Sequence, residues 1–416
     1  MPTPSYTFAM DPQVIETLKA GIEYERTRKS PPEGFPQLPD IPGGRYTDAD
    51  FLRLERQHLW AKAWLYAGHV DELPEPGSYK LWQRTGSPIL LVRDNDAQIR
   101  AFYNTCRHRG GPLVREESGS LPGGLVCGFH GWTYDLSGEL VSLRDPRDFV
   151  DLDKSCRNLL PVRCEQLGNW IFVNEDRHAP PLAEYLGPIH DYFSALPLET
   201  LRLVNHRTLE VNCNAKTFLE TFLEVYHLKS THPKTVDRFL DHRGTNIILW
   251  PQGHSLMLTP NRKAGWVDPG VKGMPEMAEA TELEREASPS FNIYPNLVTP
   301  VAPTGLPFNL VWPISDQRSL LEVVWFVPDW GDGPADVHWD VRLGNYERIL
   351  EEDLAFIEKM QASIESAGFQ SMPLSYQERR IYHWHEELDR RIGVEHIPDP
   401  LRVVPVLDDW VKDGWR

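Results

Sequence analysis

The sequence predicts an α+β protein in two parts, a small β-rich domain followed by a larger domain of mixed helices and strands. At 416 residues the chain exceeds the length at which one hydrophobic core usually stops growing, so two domains are the default. From Tyr79 to Leu140, short β-rich runs (YKLWQR, PILLVR, IRAFYN) alternate with turn signals such as DND and SG. This is the pattern of a small antiparallel domain, closed by the apolar run NWIFVN at 169–174. Beyond DRHAPP at 176–181, helical and strand-like stretches mix without a regular βαβ alternation.

Residues 11–28 carry good helix formers, and the Pro-rich stretch PPEGFPQLPDIPGG at 31–44 cannot continue a helix and reads as an extended linker. Thr47, with Asp50 three residues later and Phe51, Leu52, Leu54 and Leu59 beyond, is expected to cap a short helix. No internal repeat is evident. The polar, Gly- and Pro-rich stretch at 261–290 is expected to be a loop, either a solvated excursion or a mobile lid.

Composition narrows the function. Hydrophobic residues make up 41% and charged residues 25%, as in an ordinary globular protein, and the net charge of −17 argues against nucleic acid or an anionic membrane as partner. No apolar run approaches a membrane span, and MPTPSYTFAMDP lacks the basic start and hydrophobic stretch of a signal peptide, so a cytoplasmic location is expected. In that compartment the five cysteines do not build a disulfide framework, and metal binding becomes the better question.

Cys106 and His108 form C-x-H in NTCRHRGGPL, and Cys127 and His130 form C-x-x-H in VCGFHGWTYDLSGEL, with 18 residues between His108 and Cys127. Two such pairs on two loops can clasp one metal centre, and the ligand set alone suits iron or structural zinc. Adjacent glycines (Gly110, Gly111, Gly128, Gly131) let the backbone approach closely and offer N–H groups to bridging sulfides. Cys156, Cys164 and Cys213 have no partner at ligand spacing and read as ordinary buried thiols.

In KTFLETFLEVYHLKSTH at 216–232, Phe218, Leu219, Phe222, Leu223 and Tyr226 supply the apolar face of a helix, and Glu220, Glu224 and His227 share another face. His232 lies five residues past His227, about 140° around an ideal helix, so both rings reach one ion only if the helix loosens. In NYERILEEDLAFIEKMQASI, Asp353 falls within the apolar stripe of Leu350 and Ile357, and an inward carboxylate calls for a cation or a donor network. Two histidines and one carboxylate form the facial set that holds Fe(II) with open positions, and His227, His232 and Asp353 supply it. His383 and His385 form H-x-H in YHWHEEL without nearby cysteines and read as a helical surface or interface. Trp250, Trp266, Trp312 and Trp325 read as core rather than pocket.

The two Cys/His segments, with the Arg-His-Arg-Gly continuation of the first and Gly-Trp-x-Tyr of the second, resemble the signature of Rieske non-haem iron oxygenases, specifically the α component of ring-hydroxylating systems. The later segments resemble that family's acid-x-x-His-x-x-x-x-His helix and its Asp-x-x-x-x-Glu-x-x-Gln setting, matched by Asp353, Glu358 and Gln361. The resemblance implies a Rieske [2Fe–2S] domain over 45–175, with Cys106 and Cys127 on one iron and His108 and His130 on the other. It also implies a catalytic domain over 176–416 with an antiparallel sheet around a long helix (helix-grip), onto which the N-terminal helix and linker at 1–44 pack.

The further implications are one mononuclear Fe(II) per chain, electrons from NAD(P)H through a partner ferredoxin or flavin reductase, O₂ and a small organic molecule as substrates, and a homotrimer. In the trimer the acid before the first histidine bridges the mononuclear iron of one subunit to the cluster of the next. That acid is usually Asp in ring hydroxylases; here it is Glu224, as in some quaternary-amine monooxygenases, which weakens a reading of ring dihydroxylation. The leading expectation is hydroxylation of a hydrophobic, aromatic or alicyclic substrate. Oxidative demethylation of a quaternary amine is the alternative, and an iron-sulfur electron carrier without oxygenase activity is the alternative of another class.

Overall fold

The computed structural model describes residues 11–121, 123–333 and 338–415. Residues 1–10 of the expected N-terminal segment lie outside the described residues. The chain divides into two compact units, 60–182 and 1–59 with 183–416. Where limits at 45 and 175 were expected, the divisions fall later. The first does so because α2 (Ala49–Glu55) belongs to the larger unit, where buried Phe51 lies under the Arg45 guanidinium, 4.6 Å from its ring centroid.

The smaller unit is all-β. Its strands are β1 (Leu65–His69), β2 (Ser78–Trp82), β3 (Ile89–Arg93), β4 (Ile99–Tyr103), β5 (Ser118–Ser120), β6 (Leu125–Val126), β7 (Thr133–Tyr134), β8 (Leu140–Ser142), β9 (Pro161–Leu167) and β10 (Trp170–Asn174). Seven of them form an antiparallel sheet in the order β1-β10-β9-β4-β3-β2-β5, and β6-β7-β8 form a second sheet. Leu90, Val92, Phe102, Trp132 and Tyr134 fill the core, and Cys106 and Cys127 are buried in it.

The larger unit carries a seven-stranded antiparallel sheet in the order β11-β17-β16-β15-β14-β13-β12. Its strands are β11 (Leu201–Val211), β12 (Asn246–Leu249), β13 (Ser255–Pro260), β14 (Ala287–Ile293), β15 (Leu297–Pro300), β16 (Leu306–Pro313) and β17 (Ser319–Pro328). In α1 (Pro12–Thr27) Asp11 caps the N-terminus and Pro12 occupies the first turn. The cap of α2 is Asp48 rather than the expected Thr47; its carboxylate accepts from Asp50 N and Phe51 N, a stronger cap than the neighbouring hydroxyl.

The helix expected at 216–232, loosening near its end, instead breaks in its middle. It forms α3 (Ala215–Thr221) and a single turn, α4 (Leu228–Thr231), with irregular chain between. The long helix α5 (His338–Ile364) buries Leu350, Asp353, Ile357, Gln361 and Ile364 along one stripe. Helix α6 (Arg379–Ile392) is buried along nearly its whole length. The expected loop at 261–290 ends early, because a capping box at Thr281 and Glu284 starts a short helix that runs into β14. No helix among the described residues is long and apolar enough to cross a membrane.

Three further expectations are corrected. His383 and His385 are not on a surface: they are 1% and 0% exposed, because one ring bonds the Trp250 carbonyl at 2.8 Å and the other bonds Glu220 at 2.9 Å. Of the three thiols read as buried, only Cys213 is so; Cys164 is half-buried and Cys156 exposed. Trp250, Trp312 and Trp325 are core, whereas Trp266 stacks on Phe239 at 4.5 Å beside a cavity of about 270 Å³.

Candidate metal centres

In the smaller unit two loops of identical hydrogen bonding present the thiols and imidazoles. Cys106 N donates to Gly111 O at 2.8 Å and Gly110 N to Cys106 O at 2.9 Å; Cys127 N donates to Trp132 O at 2.9 Å and Gly131 N to Cys127 O at 2.9 Å. Gly110 and Gly131 occupy the same place in each loop with φ of 74° and 73°, a conformation a side chain would strain. A Cβ on Gly111 would come within 3.3 Å of Cys127 Sγ.

The loops bring His108 Nδ1 to 3.1 Å from His130 Nδ1, with His108 stacked on Trp132 at 4.9 Å. Tyr134 Oη lies 3.4 Å from Cys106 Sγ and accepts from Arg107 N at 3.0 Å, tying one loop to β7. Burial, the facing ring and Arg109 keep His108 below its ordinary pKa, so its nitrogen is free to ligate. The two thiols and two imidazoles do not converge on one ion-sized point. Among the described residues the group whose donor atoms all lie within 4.8 Å of one another is His227, His232 and Asp353. A like-with-like pairing split over two irons fits the four ligands better than one zinc.

In the larger unit, the break between α3 and α4 orients the second set. Glu224 Oε2 accepts from the backbone N–H groups of Tyr226 and His227, taking over bonds that a continuous helix would have made. Glu224 Oε1 lies 2.5 Å from His227 Nδ1. Across the sheet-facing side of α5, His232 Nε2 is 2.9 Å and His227 Nε2 3.7 Å from Asp353 Oδ1. Asp353 is 7% and His232 2% exposed.

Each imidazole thus has a carboxylate on Nδ1 and points Nε2 at a shared aspartate, an arrangement that fixes the tautomer for a metal. The partner of His232 is Glu352, 2.7 Å from Nδ1 and held by Thr235 Oγ1 at 2.6 Å. The sequence reading missed Glu352; its one signal is adjacency to Asp353 in EED. Burial opposes the charged rings, but the carboxylate bonds outweigh it and raise both His227 and His232 above the ordinary value. Glu220 does not join this group. It sits on α3 against Tyr46 Oη at 2.7 Å and His385 Nε2 at 2.9 Å, where burial pushes its pKa up to about 8. Glu358 accepts from Asn212 N and Nδ2 at 3.2 and 3.1 Å, and Gln361 Oε1 accepts from Asn214 N at 2.7 Å, so both fasten α5 to the start of α3.

Comparison with known proteins agrees in both halves. Residues 63–154 match the family described as Rieske [2Fe-2S] domain, and residues 198–394 match that described as ring hydroxylating alpha subunit (catalytic domain). The glycine betaine monooxygenase oxygenase subunit of Pseudomonas aeruginosa is 26% identical over 396 residues, covering 87% of this chain and 91% of that one. The carnitine monooxygenase oxygenase subunit of Escherichia coli is 26% identical over 377 residues, covering 86% and 96%. Naphthalene 1,2-dioxygenase from a Rhodococcus species, solved with indole, shares the fold with a TM-score of 0.72 at 22% identity, covering 92% of this chain and 99% of that one.

Proposed function

Because the chain belongs to the Rieske non-haem iron oxygenases, as an α subunit that carries a [2Fe–2S] cluster and a mononuclear iron, we propose that it oxidatively demethylates a small quaternary ammonium compound. The observation that carries this reading is the alignment along 86–87% of the chain with two oxygenase subunits named for such compounds.

In this reading Cys106, Cys127, His108 and His130 hold the cluster, and His227, His232 and Asp353 hold the iron. The bound iron supplies O₂ activation with electrons delivered through the cluster from a partner ferredoxin or reductase. The chain's own residues prepare that centre. Glu224 and Glu352 accept the Nδ1 protons of His227 and His232, so both Nε2 lone pairs face Asp353. Leu350 and Ile357 flank Asp353 on the buried stripe of α5 and keep water from its carboxylate. Glu224 has oxygen lone pairs left after its bonds to His227, enough to accept from a cluster histidine of another subunit in a trimer.

Hydroxylation of a hydrophobic ring is the second reading, favoured by the Phe239 and Trp266 rings stacked at 4.5 Å on a cavity that Asp268, Glu286 and Arg342 also line. Reconstitution with a generic reductase separates the two. Formaldehyde released in step with NADH consumption, on glycine betaine or carnitine, supports demethylation; a ring diol with no formaldehyde overturns it.

A further inference from the structure

The cavity of about 270 Å³ beside Trp266 is walled by the Trp266 and Phe239 rings, whose planes lie 4° from parallel. Such a wall suits a hydrocarbon or an organic cation, and the charges around it decide between them. Four carboxylates and two guanidiniums line the same cavity. Arg285 Nη2 pairs with Glu276 at 2.8 Å and Arg342 Nη1 with Asp268 at 2.9 Å, which leaves Glu284 and Glu286. Glu284 is 4% exposed, and its oxygens accept from Tyr192 Oη, Thr281 N and Thr281 Oγ1, all neutral donors. The Glu286 carboxylate accepts from Gly265 N at 3.2 Å. Among the described residues neither has a basic partner, so the aromatic wall faces an excess of negative charge.

Glu286 also lines a second cavity, of about 500 Å³, which shares Asn261 and Ala287 with the first, so it stands where the two spaces meet. The basic side chains of that second cavity are taken by other acids: Lys19 by Glu282 at 2.8 Å, Arg26 by Asp241 at 3.2 Å and Arg262 by Asp237 at 2.5 Å.

The first cavity is bounded by the two segments that carry metal ligands. Phe239 follows His232 on the chain, and Arg342 precedes Asp353 on α5. The step from Arg342 to Asp353 is three helical turns and about 20°, so both lie on one face of α5, about 16 Å apart along its axis. Tyr346 lies between them on that face, its ring 5.2 Å from that of Trp325, over which the Arg342 guanidinium sits at 5.7 Å. That separation exceeds the length of glycine betaine, so a molecule held at Trp266 is not yet at the metal ligands.

We propose that this cavity is a capture site for an organic cation, remote from the metal ligands on the same face of α5, with the ammonium group held by the Trp266 ring and the Glu286 carboxylate. The proposal rests on the quaternary ammonium reading for the identity of that cation.

Choline and 3,3-dimethylbutan-1-ol share a shape and a hydroxyl and differ in charge, so calorimetry with both on the loaded parent isolates the charge. Choline is expected to bind about 10-fold tighter than the alcohol. Glu286→Gln and Trp266→Leu should each weaken choline about 5- to 10-fold, with the alcohol within about twofold of the parent in Glu286→Gln. Asp353→Ala should keep choline within about twofold, because the site stands apart from the metal ligands. Melting temperatures matching the parent's show that the variants keep the fold, and Glu284 is left intact because its oxygens also cap a helix. Equal affinity for the two probes, no choline binding, choline binding unchanged in Glu286→Gln or in Trp266→Leu, or choline binding lost in Asp353→Ala overturns the assignment. The reaction reading fails separately. Choline bound through Glu286 with no formaldehyde from any quaternary ammonium compound keeps the cavity and discards demethylation; formaldehyde release with equal affinity for the two probes discards the cavity alone.

Discussion

Replacing Asp389 tests whether a buried charge network holds α6 and the segment before α2 together. Arg45 and Asp389 side chains are 0% and 4% exposed, and Arg45 Nη1 lies 2.7 Å from Asp389 Oδ1. Arg45 Nη1 also donates to Leu401 O at 2.7 Å and Nε to His385 Nδ1 at 3.1 Å, while Asp389 Oδ2 accepts from Val403 N at 2.8 Å. Asp389→Ala leaves a guanidinium without its counterion, a loss of about 3–5 kcal/mol for a broken buried pair. It also orphans the Val403 N–H, which adds about 1–3 kcal/mol. Asp389→Asn keeps an acceptor for Val403, so the difference between the two variants isolates that second contribution. The paired change Arg45→Met with Asp389→Leu removes both charges and is expected to cost less than Asp389→Ala alone. Urea unfolding followed at the tryptophans reads the midpoints. If Asp389→Ala costs under about 1 kcal/mol, or the double variant costs more than the single, the pair does not act as a charge pair inside the fold.

Other perturbations test the site and its surroundings. His254 donates from Nε2 to Tyr185 O at 2.9 Å and accepts Tyr294 N at Nδ1, and burial lowers its pKa to about 3. Its contribution is therefore complete above pH 6.5 and lost as pH falls toward the folded value, at about 1.4 kcal/mol per pH unit. A His254→Gln variant should flatten the acid limb of stability against pH by that slope, and an unchanged limb would place the proton elsewhere. Glu352→Ala should weaken iron binding about 10- to 100-fold with the cluster spectrum unchanged; undiminished iron affinity would remove Glu352 from the centre. Glu224→Gln should leave the metals loaded while slowing oxidation of the reduced cluster by O₂ and substrate, whereas unchanged single-turnover rates would end its assignment as a bridge.

What could be read from the chain followed the range of the interactions. Loops that set their own geometry were visible: the C-x-H and C-x-x-H pairs carry glycines whose positive φ the turns require. Asp353 stood out because an acid on an apolar helical stripe breaks the period. Periodicity could not reveal that Glu224 would turn back onto backbone N–H groups and split the helix, since propensity alone favours continuation. Contacts between distant segments were equally hidden. Glu352 reaches His232 from 120 positions away, and Arg45 meets Asp389 across 344, so neither leaves a local trace. The same holds for His383 and His385, whose polar pattern suggested a surface until the carbonyl and carboxylate that satisfy them came into view.

Counting metals in the parent and in Asp353→Ala tests the central claim most directly. The account predicts about three irons and two sulfides per chain in the parent, and about two irons and two sulfides in the variant with its cluster spectrum intact. A variant that keeps its third iron in full, or a parent that binds zinc without sulfide, would contradict it.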